Sequence, residues 1–122
     1  MEHIALNMNV ETDIAIVGAG PSGCMAADVL CDAGKKVLLI DKETFPRHKS
    51  CAGGLTPKTV SELPFDIKHL SQHNSEKMLF TFTNGKTVDL NNELGACKMV
   101  VREEFDNYFF NHVQKKGVDF LN

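Results

Sequence analysis

At 122 residues, 43% hydrophobic and 24% charged, the chain has the composition of one globular domain with a core, which excludes bulk disorder. A formal net charge of -3 denies it the basic excess that phosphate neutralisation demands, so no nucleic-acid partner is expected. No run approaches the roughly 20 apolar residues of a membrane-spanning helix, and the opening MEHIALNMNVET lacks the positive and apolar regions of a secretory signal, so a cytoplasmic protein is expected.

In chain order, the first regular element is the apolar run Asp13 to Val17, DIAIV, bounded by a glycine turn, which reads as a parallel strand buried on both faces. From Pro21 to about Ala33, Met25, Ala26, Val29 and Leu30 recur at helical spacing, and Gly34 supplies the C-terminal stop. A second apolar run, Val37 to Ile40, ends in Asp41. These three elements make a strand–helix–strand unit whose right-handed crossover sets the strands parallel. Thr56-Pro57 predicts an N-cap and first helical residue of a short helix to about Leu63, ended by Pro64.

Residues 66–76 are polar and carry no clear pattern. MLFTFT and KTVDL then flank Asn84-Gly85, a hairpin signal. Arg102 to Lys116 reads as a helix with Phe105, Tyr108, Phe109 and Val113 on one stripe and Gly117 after its last turn, followed by a third apolar strand, VDFL. The lysine pairs 35–36 and 115–116 read as solvated helix ends. A buried parallel strand is a poor terminus for a doubly wound sheet, so the chain is expected to be the N-terminal portion of a longer protein.

Gly18, Gly20 and Gly23 form G-x-G-x-x-G between the first strand and the first helix, inside the GAGPSG turn. The first glycine allows the tight turn, the second lets backbone approach a pyrophosphate, and the third lets helix and strand pack closely. The pyrophosphate would sit on the N-terminus at Pro21, Ser22 and Gly23. Ala27 keeps the helix slim against the sheet. Asp41, at the end of the second strand, can accept hydrogen bonds from ribose hydroxyls, and its charge disfavours a 2′-phosphate. NAD and FAD share the ADP moiety, so the motif leaves both open. The four cysteines, 24, 31, 51 and 97, include no C-x-x-C pair and no histidines at zinc spacing, so no metal site is expected; Cys24 and Cys31 read as helix packing.

The segment DIAIVGAGPSGCMAADVLCDAGKKVLLIDKETFPRHKSCAGGLTPKTV resembles the opening of geranylgeranyl reductase family flavoproteins, in which a K-x-C-x-G-G-L loop follows the second strand. MVVREEFDNYFFNHVQKKGVDF is similar to a later segment of that family and of the wider hydroxylase-like FAD superfamily, where an arginine opens a helix followed by a strand. The resemblance spans residues 13–121 but only about the first third of such an enzyme. Ala52 stands where a glycine is common.

The resemblance implies an α/β, Rossmann-like FAD-binding domain with a parallel sheet and an inserted β-hairpin, incomplete at its C-terminal side, with residues 1–122 as its N-terminal part and the substrate domain beyond. It implies FAD held by Gly18, Gly20, Pro21, Ser22, Gly23, Asp41 and Lys42. Arg102 would lie near the phosphate–ribityl part. Arg47, Cys51, Ala52, Gly53 and Gly54 would border the flavin ring, with Cys51 in a catalytic role, its thiolate favoured by Lys49 or Arg47. For Arg47, His48 and Lys49, plain solvent exposure is the competing reading. The implied reaction is reduction of carbon–carbon double bonds in a polyprenyl (geranylgeranyl) group, as in isoprenoid lipid biosynthesis. Its partners would be a prenyl lipid or prenyl diphosphate substrate, an external electron donor and a membrane surface met peripherally. The alternatives are a flavin monooxygenase or halogenase, expected to lack the Cys-Gly-Gly loop, and a truncated, non-catalytic FAD-binding fragment, inactive alone.

Overall fold

The computed structural model describes residues 11–91 and 95–122; residues 1–10, which carry most of the segment read for a secretory signal, lie outside them. In chain order the elements are β1 (Ile14–Val17), α1 (Pro21–Asp32), β2 (Val37–Ile40), β3 (Gly54–Leu55), α2 (Pro57–Glu62), β4 (Ser71–Ser75), β5 (Lys77–Thr81), β6 (Thr87–Asn91), β7 (Cys97–Val100), α3 (Arg102–Lys115) and β8 (Asp119–Leu121). The expected strand–helix–strand unit is β1–α1–β2. Its strands are parallel, with Ile14 opposite Val37 and Val17 opposite Ile40, and β8 adds in parallel on the far side of β2.

One face of this sheet is covered. Val37 and Leu39 are buried beneath α1 and α3 with Phe105, Phe109 and Val113, while Ile16 and Phe120 pack at the margin. On the other face Val17 is 85% exposed and Leu121 45% exposed. Within this chain β1 is covered on one face: strand alternation sends Ile14 and Ile16 inward and leaves Ala15 and Val17 bare.

Helix α1 also turns a different stripe inward than its apolar pattern suggested. Cys24, Ala27 and Asp28 are buried, whereas Met25, Ala26, Val29 and Leu30 line a cavity. A small thiol and an alanine allow close packing on the sheet, which the larger Val29 and Leu30 would prevent. Asp28 is admitted because it is fully paired: His112 Nε2 lies 2.9 Å and Lys116 Nζ 2.7 Å from its Oδ1, tying α1 to α3. Lys116 also reaches Asp32 at 2.6 Å, so this lysine is an interhelical clamp and not a solvated helix end. Asp106 and Phe110 are buried on α3, while Tyr108, assigned to the stripe from sequence, is 37% exposed at its edge.

The remaining strands form two antiparallel sheets, β3-β7-β4 and the hairpin β5-β6. The patternless stretch 66–76 contributes β4, with a register irregularity between Ser71 and His73. The hairpin lies where expected, but its turn is not a two-residue Asn-Gly turn. The Phe82 N–H donates to Lys86 O at 2.8 Å, the Gly85 N–H donates to Phe82 O at 2.9 Å, and only Gly85 has positive φ (+78°). A two-residue turn of the Asn-Gly type needs positive φ at both residues; here the glycine closes a longer loop. Helix α2 is capped as predicted, the Thr56 hydroxyl accepting from the Thr59 N–H at 3.2 Å. Among the described residues, no helix is long and apolar enough to cross a membrane.

Candidate cofactor site

The site grows from the glycine turn between β1 and α1. Gly18, at φ +106°, donates its N–H to Ile40 O at 2.7 Å, and the Ala19 N–H donates to Asp41 Oδ2 at 2.7 Å, so the turn is fastened to the end of β2. Asp41 Oδ1 accepts from the Glu43 N–H at 3.0 Å. Asp41 thus shapes the turn itself, a role the sequence reading did not assign. Gly23 is required by contact: a Cβ there would sit 1.8 Å from Gly18 O. Cys24, directly behind, donates its S–H to Ala19 O at 3.3 Å, and burial pushes its pKa up to about 12, so it is an inert packing thiol. Helix α1 begins at Gly20 with no side-chain cap and no acidic residue in its first turn. Its free N–H groups and dipole end are thereby left for an anion.

The loop after β2 returns to this turn. Arg47, expected at the rim, is instead largely buried: its guanidinium stacks 5.0 Å from the Phe45 ring centroid, and its Nη2 lies 3.2 Å from Asp106 Oδ2 and 3.5 Å from where a Gly20 Cβ would be. Its Nη1 is buried without a partner among the described residues. Lys42, His48, Lys49 and Ala52 are exposed, and none of the four lines the cavity described below. Ala52 has no positive φ, so the departure from glycine there strains nothing.

Gly53 explains the glycine pair. At φ +76° its carbonyl accepts the Val100 N–H at 2.9 Å, and a Cβ would lie 1.9 Å from Val100 O; Gly54 then pairs with Met99. The loop is thereby laid on β7, two residues before Arg102 opens α3. Cys51 Sγ accepts the Gly53 N–H at 3.4 Å. That bond, and secondarily the Arg102 guanidinium, hold the exposed Cys51 thiol below its usual pKa. Lys49 and Arg47, the expected cations, are replaced in this role by Arg102. Pro21, Ser22, Cys51, Gly53, Gly54 and Arg102 all face one cavity of about 890 Å³, whose other walls are apolar apart from Thr59 and Glu62.

Asp106 is the residue that sequence reasoning missed. Arg102 Nε donates to its Oδ1 at 2.7 Å and Arg102 Nη2 to its Oδ2 at 2.9 Å, which raises the arginine pKa. The i, i+4 spacing of Arg102 and Asp106 was the available signal.

A glycine turn that admits no Cβ at Gly23, an uncapped helix N-terminus, an unpartnered buried Arg47 nitrogen and two arginines against one carboxylate fit a ligand with an anionic pyrophosphate. This is the site of a dinucleotide-binding α/β unit. Residues 11–122 match the FAD binding domain family, and the chain belongs to it. FAD is its cofactor.

The chain is similar to an uncharacterised protein of Methanosarcina barkeri (35% identical, over 89% of this chain and 28% of that protein). It is also similar to the geranylgeranyl diphosphate reductase of Rhodobacter capsulatus (34%, 89% and 27%) and to a flavin-dependent halogenase of Armillaria mellea (31%, 87% and 22%). Among solved structures, a geranylgeranyl bacteriochlorophyll reductase-like protein from Thermoplasma acidophilum shares the fold, with a TM-score of 0.77 at 23% identity over 89% of this chain and 29% of that one. The chain spans about a quarter of the length of the curated relatives it matches.

Proposed function

We infer that this domain belongs to an enzyme that reduces carbon–carbon double bonds of polyprenyl groups. The observation that carries the reading is the K-x-C-x-G-G-L loop, seated by Gly53 on β7 so that Cys51 stands beside Arg102 at the mouth of an apolar-walled cavity. The likeness to a geranylgeranyl diphosphate reductase supports it. The bound flavin, once reduced by an external electron donor, supplies a hydride equivalent. This chain's residues receive the pyrophosphate at the glycine turn and set Cys51 where it can hold a proton near the reacting carbons. The substrate would be a prenyl lipid or prenyl diphosphate, reached by a cytoplasmic enzyme at a membrane surface. The likeness to halogenases supports a second reading, oxidation of halide.

The test uses the full-length, FAD-loaded protein, reduced and offered a geranylgeranyl lipid anaerobically, or halide and an aromatic acceptor in air. Mass spectrometry should show hydrogen added to the lipid and no halide incorporation; the reverse result overturns the reading. Cys51→Ser should slow the reduction at unchanged FAD content, and wild-type turnover would return Cys51 to a packing role.

A further inference from the structure

The Asp106 side chain is wholly buried, yet it belongs to no packing motif. Its carboxylate joins two segments far apart in the chain: Arg102 by a two-pronged contact along α3, and Arg47 from the loop after β2. Two guanidinium groups against one carboxylate leave one positive charge in excess, and unmatched charge is costly away from water. The excess lies at the glycine turn, where Arg47 meets Gly20 and its Nη1 lacks a partner among the described residues. On the other side of the cluster Arg102 lines the same cavity as Cys51, and its charge helps hold that thiol below its usual pKa.

We propose that Asp106 is a positioning residue of the cofactor site: it holds Arg47 and Arg102 together at the turn that receives the FAD pyrophosphate, and it keeps the Arg102 charge on the Cys51 side of the shared cavity. The proposal rests on reading the turn as the FAD site. It differs in sign from a simple charge effect. Asp106 as a mere negative charge disfavours the Cys51 thiolate, so neutralising it would lower the thiol's titration midpoint. Asp106 as the anchor of Arg102 has the opposite effect, because releasing Arg102 removes the cation.

The experiment compares Asp106→Asn with the parent in the full-length protein, below the melting temperature of both. Two readouts are taken: the FAD dissociation constant, and the pH profile of Cys51 alkylation in the apoprotein with Cys51→Ser as blank. Expected are FAD binding weakened by about tenfold or more and a Cys51 midpoint that rises, with alkylation below it slowed at least about threefold. Arg102→Lys, which keeps the charge on a largely buried side chain but loses the paired donors, should raise the midpoint too and serves if Asp106→Asn does not fold. A midpoint that falls or stays in both variants overturns the positioning role. A raised midpoint with unchanged FAD affinity overturns the cofactor part alone; the reading of the turn as the site is judged separately, by FAD affinity in Asp41→Ala.

Discussion

Gly23→Ala tests the central contact of the fold. The added Cβ would lie 1.8 Å from Gly18 O and 3.0 Å from Gly18 C. Carbon–oxygen contacts of this kind do not occur below 3.0 Å, so helix and strand must part by about 1.2 Å in a region packed at crystal-like density. The movement falls on Gly18, whose N–H is bonded to Ile40, and on its neighbour Ala19, bonded to the Asp41 carboxylate. Overpacking costs about 1–3 kcal/mol, and weakening the charged Ala19–Asp41 bond adds about 1.5 kcal/mol. The total, roughly 2.5–4.5 kcal/mol, falls in the range reserved for named defects. At about 4 °C per kcal/mol for a domain of this size, melting should fall by roughly 10–18 °C. Gly18→Ala is the control: its Cβ meets nothing within 4 Å, so only the strain of φ +106° is incurred, about 1–3 kcal/mol. Thermal melts followed by circular dichroism decide it. A Gly23→Ala protein melting within about 4 °C of the parent, a change worth about 1 kcal/mol, would refute the contact argument.

Asp28→Asn should destabilise the protein by about 1–2 kcal/mol, because Lys116 and His112 lose their carboxylate while Lys116 stays partly wet and keeps Asp32. Burial works against the Asp28 charge, but its bonds to Lys116 and His112 prevail and hold its pKa below the usual carboxylate value. The stabilisation is therefore complete above about pH 4 and is lost as pH falls through the lowered value, so urea titrations of parent and variant should converge in acid; a constant gap down to acid pH would contradict the assignment. Asp41→Ala should lower stability and weaken FAD binding, by about tenfold or more, since the Ala19 and Glu43 N–H groups lose their acceptor. Fluorescence titration with FAD checks it, and an unchanged affinity would remove Asp41 from the site.

The local features were legible in the sequence. The glycine turn, the Thr56 cap and the Gly34 and Gly117 stops rest on interactions within a few residues, and the residue types announce them. What the sequence concealed was long-range. Lys116 reads as a solvated helix end, and Asp28 carries no reading, because nothing local shows that α1 and α3 lie side by side. β7 and the two-residue β3 carry too little pattern to be found alone, and it is their pairing that turns the Gly53-Gly54 step into an anchor. Arg47 was placed at a rim because its partner, Asp106, lies on a helix nearly half the chain away. The apolar stripe of α1 misled for another reason: Met25, Val29 and Leu30 wall a cavity, and hydrophobic spacing does not distinguish a core from a groove.

The pairing of Gly53 with Val100 also bears on how the molecule comes into being. The β1–α1–β2 unit closes over a short span of chain, so the phosphate-receiving turn can assemble early. The β3–β7 bridge and the Arg47–Asp106 contact must wait until the whole intervening stretch has been synthesised and brought back, which carries a loop-closure cost. On the ribosome the segment of the anion-binding turn therefore emerges before the β7 and α3 partners that fix Arg47 and the Cys51 loop in place.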